Sequence, residues 1–230
     1  MKKITIAIFL IIGMFSSASA ELGVNIGVSG QVGVFQATGT ESEALERTSE
    51  EAVGVAGYTS FFIEKKLTFL PGPLGRLTVG FDHVPETLSS EEASTIRDDI
   101  VGAADTSGYV QGAGVNGVTN TVKLDFEDLD TTYIAFNITD NLYIKTGAVT
   151  VDIITKESLG TGSTYGNTSV DGTMYGIGFS MNRDNGLFMR FEANHTEFDN
   201  AKVTASNTAN FVELNNLEGA MGKVSIGKSF

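Results

Sequence analysis

The sequence predicts an all-β chain: a transmembrane antiparallel up-and-down barrel of eight strands. Three observations carry that prediction. An export signal is followed by no spanning helix, the segments behind it alternate with a period of two, and their connections alternate between short and long.

The signal comes first. "MKKITIAIFLIIGMFSSASA" places Lys2 and Lys3 before an apolar run from Ile4 to Phe15, then Ala18-Ser19-Ala20. Charge, apolar run and small residues in that order read as a secretory signal peptide over 1–20, cut after Ala20. The run is too short for roughly 30 Å of hydrocarbon, which takes about 20 apolar residues. Residues 21–230 form the second predicted unit, a single barrel domain exported without a helical anchor.

Composition narrows the function classes. The chain has no cysteine, so neither disulfides nor thiolate metal sites hold it together. Removing Lys2 and Lys3 takes the net charge from -13 to -15. A chain that acidic repels nucleic acid, so none is expected as a partner. The 27 glycines follow no collagen-like period and suggest close backbone approaches.

Each strand follows from its own alternation. In "LGVNIGVSGQVGVF" (22–35) the even positions are almost all apolar and the odd ones small or polar. Seven more segments behave similarly: 52–69, 76–84, 120–138, 142–154, 173–181, 187–198 and 217–230. Val53, Val55, Phe61 and Ile63 share one face of the second strand; Leu77, Val79 and Phe81 share one on the third. On the fourth, Val122, Leu124 and Phe126 alternate with Lys123, Asp125 and Glu127. The fifth places Tyr143, Val149, Val151 and Ile153 on one parity, although Leu142 and Ile144 leave its register open.

The turns "LPGPLG", "TDN" and "NRDNG" follow strands two, four and six and are rich in turn-forming residues. Longer segments, 36–51, 85–119, 155–172 and 199–216, follow the odd strands. Short turns at one end and long loops at the other are the asymmetry of outer-membrane barrels. Within 85–119, "IVGAADTSGYVQGAG" allows extra β structure and a ten-strand count.

The chain ends on "VSIGKSF", with Val224 and Ile226 alternating ahead of Phe230. It resembles the C-terminal targeting strand of bacterial outer-membrane barrels, with Lys228 departing from the usual apolar pattern and able to snorkel to headgroups. Over its whole mature length the chain is similar to the small eight-stranded barrels of the OmpX, opacity-protein and OmpA transmembrane-domain group. That resemblance implies a Gram-negative outer-membrane location, outer-membrane lipids and lipopolysaccharide as surroundings, and periplasmic chaperones and the barrel-assembly machinery as transient partners. It implies Val224, Ile226 and Phe230 as the assembly signal and a monomer as the working state.

With the valines toward lipid, the inward face carries Glu64, Lys66, Arg76, Asp82, Lys123, Asp125, Glu127, Arg190, Glu192 and Lys223. Five acids and five bases in so narrow a lumen are expected to pair, because an unpaired charge there is costly. Pairing Met181 with Leu187 across the "NRDNG" turn sets Arg190 opposite Gly178 and Glu192 opposite Gly176. Small residues would then make room for long charged ones. Tyr133, Tyr143, Phe188 and Phe198 are candidates for the aromatic belts.

The loops carry the negative charge. Segment 36–51 has five acids and one Arg, and 85–119 has six acids and one Arg. No loop has ordered ligand spacing, so no metal or cofactor site is expected. His83 and His195 fall on lipid-facing parity near the loop end, without a nucleophile placed to meet them. The expected function is therefore a structural or cell-surface role for a barrel plugged by paired charges, with no enzymatic activity. A narrow diffusion pore is the alternative, and a lipid-modifying enzyme the third.

Overall fold

The computed structural model describes residues 23–42, 47–97, 118–158 and 163–230. The predicted signal segment 1–20, its expected cut site and the stretch 100–114 lie outside them. The strands are β1 (Val24–Ser42), β2 (Arg47–Lys66), β3 (Leu77–Val84), β4 (Leu88–Ser89), β5 (Ala93–Arg97), β6 (Val118–Asn137), β7 (Leu142–Ser158), β8 (Thr168–Asn182), β9 (Leu187–Phe198), β10 (Ala201–Thr204) and β11 (Phe211–Ser229). One 3-10 turn, Gly72–Arg76, lies between β2 and β3.

Eight of these strands form the wall, in the order β1-β2-β3-β6-β7-β8-β9-β11, and β11 pairs back onto β1. The ring is closed at the ends of the chain as well: Phe230 N–H donates to the Val24 carbonyl at 2.8 Å. Where the ring is closed, no strand edge meets the lipid, in which an unpaired backbone group costs several kcal/mol. The short strands add nothing to the count. β4 and β5 pair with β6 above the part that β3 occupies, and β10 pairs with β11 above β9. Each continues an interrupted wall strand, so among the described residues the closed ring has eight strands.

The register fixes the tilt. Hydrogen-bonded partners run from Gln36 through Glu218, Glu197, Thr173, Ala148, Thr132, Phe81 and Ile63, and return to β1 at Ile26. The path comes back ten residues from where it began. With strand spacing and rise at their usual values, that offset tilts the strands by about 40°.

The even positions of β1 face outward: Ile26, Val28, Val32 and Val34 are each about half exposed, whereas Asn25 and Ser29 are buried. Phe61, Ile134, Ile144, Ile177, Phe179, Phe191, Val224 and Ile226 extend the same apolar band around the wall. This arrangement is inverted relative to a soluble barrel, with apolar residues outside and charge within. It is the arrangement of a transmembrane β-barrel.

The strands are longer than their apolar alternation suggests. β1 and β2 run through most of 36–51, and β7, β8 and β11 take up much of the two last loops. At that height the apolar residues of β6, β7 and β8 turn inward onto one another instead of outward, so the outward period-two signal fades while the ladder continues. The seam between β2 and β3 closes only from Lys66 up to Phe61. Above it, among the described residues, β2 is paired with β1 alone. The Glu86 carboxylate spans the start of this gap, accepting from the Thr59 N–H at 2.5 Å and its hydroxyl at 3.0 Å.

A β-bulge in β6 inverts one inward face. Glu127 pairs with Asp152, but Asp130 pairs with Thr150, so one extra residue enters β6. Asp128 absorbs it with φ 50°. Below the bulge Tyr133 and Ala135 are buried; above it Leu124 and Phe126 turn inward onto Val151, Ile153 and Val170. A left-handed backbone disfavours β-branched side chains by about 1–2 kcal/mol. Asp128→Val is expected to destabilise the folded barrel by that amount, with Asp128→Gly within about 0.5 kcal/mol of the parent. Urea midpoints of the two variants in lipid vesicles check this.

Candidate functional site

The middle of the lumen is filled by charge. Glu64 extends from β2 and receives four hydrogen bonds: Asn25 Nδ2 at 2.8 Å, the Tyr133 hydroxyl at 2.7 Å, and both Arg190 terminal nitrogens at 2.6 and 2.7 Å. These donors stand on β1, β6 and β9, so a single carboxylate ties four strands together. Fork-to-carboxylate geometry is the strong, oriented form of an ion pair. The Arg190 guanidinium also stacks 4.4 Å from the Phe188 ring centre.

Two further pairs complete the layer. Lys145 on β7 donates to Glu192 on β9 at 2.5 Å, and the Tyr143 hydroxyl donates to the other Glu192 oxygen at 2.5 Å. Lys223 on β11 donates to Asp82 on β3 at 2.5 Å. Ser29 and Ser225 meet at 3.0 Å beside them. Three acids and three bases thus pair inside, as Glu64 with Arg190, Glu192 with Lys145 and Asp82 with Lys223. All six are largely withdrawn from solvent. Such pairs add little net stability over an apolar packing, but either partner left alone becomes very costly.

Of the ten residues expected inside, Glu64, Asp82, Arg190, Glu192 and Lys223 form this layer. Lys66 and Arg76 belong to the turn end: Lys66 reaches the Ser229 hydroxyl at 3.4 Å, and Arg76 donates to the Ile138 carbonyl at 2.9 Å. Lys123, Asp125 and Glu127 are not in the lumen. The Asp128 bulge flips the parity above it and puts these three on the outer wall, with Leu124 and Phe126 inside in their place. Asp125 there accepts from the Ser89 hydroxyl at 2.6 Å, and Lys123 and Lys156 lie near it. The Ser89 hydrogen bond first, and the two lysines after it, hold the Asp125 carboxyl below its ordinary range.

The aromatic-belt assignment is also corrected. Tyr133, Tyr143 and Phe188 are buried in the lumen, and Phe198 packs inward against the upper apolar clusters. β7 turns Tyr143, Lys145, Val149, Val151 and Ile153 inward and leaves Leu142 and Ile144 on the outer face. Lys145, which the alternation did not single out, is therefore a member of the charge layer.

The β8–β9 hairpin pairs two residues away from the simplest register. Met181 faces Met189, so Glu192 lies opposite Gly178 and Arg190 opposite Ser180. Several inward glycines accommodate rings, while Gly176 faces the Asn194 amide and Gly33 the Met221 side chain. A Cβ on Gly178 would run into the Tyr143 ring, and one on Gly80 into the Tyr133 ring. Those two rings carry the hydroxyls that bind Glu192 and Glu64, so small residues on the wall position the donors of the charge layer.

The charge layer divides the interior. Above it is a cavity of about 40 Å³ with Asp82, Lys145 and Lys223 at its floor and Phe35, Met174 and Phe198 among its walls. Below it a mouth of about 260 Å³ opens between the turns, with Glu64 and Arg190 at its inner end. Neither histidine faces the lumen. His83 Nδ1 lies 2.7 Å from Asp130, and His195 Nε2 lies 3.3 Å from Glu197. Val224, Ile226 and Phe230 all face outward on the closing strand.

No protein-family model matches this sequence, and no curated protein matches it. Among solved structures the chain is similar to Ail, the attachment invasion locus protein of Yersinia pestis, at 10% identity, covering 89% of this chain and 99% of that one with a TM-score of 0.36. The outer membrane protease OmpT from Escherichia coli is similar at 10% identity, 93% and 99% coverage and a TM-score of 0.46. The outer membrane protein OprG from Pseudomonas aeruginosa follows at 6% identity, 92% and 99% coverage and the same score. Likenesses this distant bring no activity, ligand or partner to this chain. Its own closed wall, outward apolar band and charged lumen make it a small β-barrel of the outer-membrane type.

Proposed function

We propose that the protein is a non-conducting barrel of the bacterial outer membrane with a structural or cell-surface role. The observation that carries this is the Glu64 node: one buried carboxylate joins β2 to β1, β6 and β9 and fills the lumen with Arg190 and Tyr133. An eight-stranded wall encloses little more than such side chains occupy. The two companion pairs stand between the mouth below and the cavity above, which supports a plugged lumen.

The same reading assigns no catalytic role. The histidine–carboxylate contacts, His83 with Asp130 and His195 with Glu197 and Glu218, lie on the outer wall, and successive residues on a strand point to opposite faces. Asp82 is inward while His83 is outward, so they cannot act on one bound group.

The test is single-channel recording of the refolded mature chain in planar bilayers. Silence is expected from protein shown to be folded by its altered gel mobility. Reproducible conductance steps whose size changes in Glu192→Ala or Lys223→Ala would replace this proposal with the narrow pore.

A further inference from the structure

Charged side chains from four places in the chain line the mouth between the turns. Lys66 stands two residues beyond Glu64 on β2 and so shares its inward face. Arg76 closes the 3-10 turn, Asp140 lies in the β6–β7 turn, and Arg190 comes from β9. Hydrogen bonds tie the first two turns together, from Arg76 to the Ile138 carbonyl at 2.9 Å and from Asn137 Nδ2 to the Arg76 carbonyl at 3.0 Å. They hold the Arg76 guanidinium at the opening.

The charge of this lining does not cancel. Three cations, Lys66, Arg76 and Arg190, stand against two acids, Glu64 and Asp140. Glu64 takes both terminal nitrogens of Arg190, which neutralises that pair. Lys66 meets only a neutral oxygen, the Ser229 hydroxyl at 3.4 Å, and Arg76 only the Ile138 carbonyl. Among the described residues neither forms an ion pair. One positive charge therefore remains in the mouth of a chain whose formal net charge is -13. The inner end is partly apolar, with Phe188 and Ala135 beside the Tyr143 ring.

We infer that the turn-side mouth is a binding site for a short organic monocarboxylate. Its carboxylate is held between Arg76 and Lys66, and its hydrocarbon end points toward Phe188 and Ala135. A forked guanidinium and a point-charge ammonium lining one space are the pair of donors that an oxyanion needs. The single surplus charge matches a monoanion, whereas Asp140 and Glu64 oppose a second negative charge. The mouth offers about 260 Å³, where one water needs about 10–15 Å³. Every group involved lies at or on the turn side of Glu64, so the site is the same whether or not the lumen conducts.

The test uses the full mature barrel in nanodiscs of phosphatidylcholine alone. Trifluoroacetate is titrated in, and the width of its fluorine resonance is followed against empty nanodiscs. Broadening should saturate, and acetate should displace the probe more readily than inorganic phosphate does. K66Q/R76Q should weaken binding at least about ten-fold, the worth of one charge-assisted hydrogen bond. Asp140→Asn removes the opposing acid and should tighten binding about three-fold, a gain that damage to the mouth would not produce. K202Q, on β10 at the loop end, should leave binding unchanged. Should the double variant not fold, Asp140→Asn decides alone. Broadening that never saturates overturns the inference, as does binding that survives K66Q/R76Q or that Asp140→Asn leaves equal or weaker. Equal loss in K202Q also overturns it, and displacement by phosphate ahead of acetate replaces the carboxylate with a different ligand.

Discussion

Glu64→Ala should cost the folded barrel about 3–5 kcal/mol, the expected penalty for stripping a buried ion pair of one partner. The carboxylate is almost wholly buried, and its loss orphans three donors at once: Asn25, Tyr133 and Arg190. Arg190 suffers most, because it cannot shed its proton and its guanidinium is enclosed by Phe62, Phe188 and Tyr143. The double variant Glu64→Ala/Arg190→Ala should lose less than the two single losses added together, since removing both charges leaves neither unpaired. The chain has no tryptophan, so unfolding in urea is best followed by circular dichroism and by the mobility shift of folded barrels. Equal and additive losses would mean that the pair is screened by water and the lumen is wetter than this geometry describes.

Much of this layer was legible from parity alone. Glu64, Asp82, Arg190, Glu192 and Lys223 alternate with residues too apolar to face a charged lumen, and outward valines and glycine-rich inward faces follow from the same rule. Lys145 was obscured because β7 is apolar on both parities: lipid outside takes Leu142 and Ile144, and the upper lumen takes Val149, Val151 and Ile153. The lysine itself was the available signal, since an ammonium in mid-strand belongs on the inner face and brings Tyr143 with it. The Asp128 bulge is harder to see. Leu124 and Phe126 on one side of it and Ile134 and Phe136 on the other all fall on even positions, because the side that wants apolar residues changes from the outer wall to the inner one at the height of the bulge. The inversion of environment and the inversion of parity cancel in the sequence.

Gly27→Ala should be unexpectedly severe for one added methyl group, about 2–3 kcal/mol in the same urea titration. Gly27 and Gly227 face each other across the seam where β1 closes on β11. The Phe62 ring lies over the first and the Phe188 ring over the second, 6.1 Å apart at 46°, with Arg190 against both. A Cβ on Gly27 would stand 2.5 Å from the Ile226 carbonyl oxygen, and one on Gly227 would stand 2.7 Å from that of Ile26. Rings can rotate away; the carbonyl of a paired strand can retreat only by loosening the seam. Gly30 supplies the control, being on the same strand but outward with open space around it, so Gly30→Ala should change stability by no more than about 0.5 kcal/mol. If both substitutions prove equally mild, β1 and β11 do not lie as close as this register requires. If Gly27→Ala alone fails, barrel closure and the seating of Arg190 depend on the same two missing side chains.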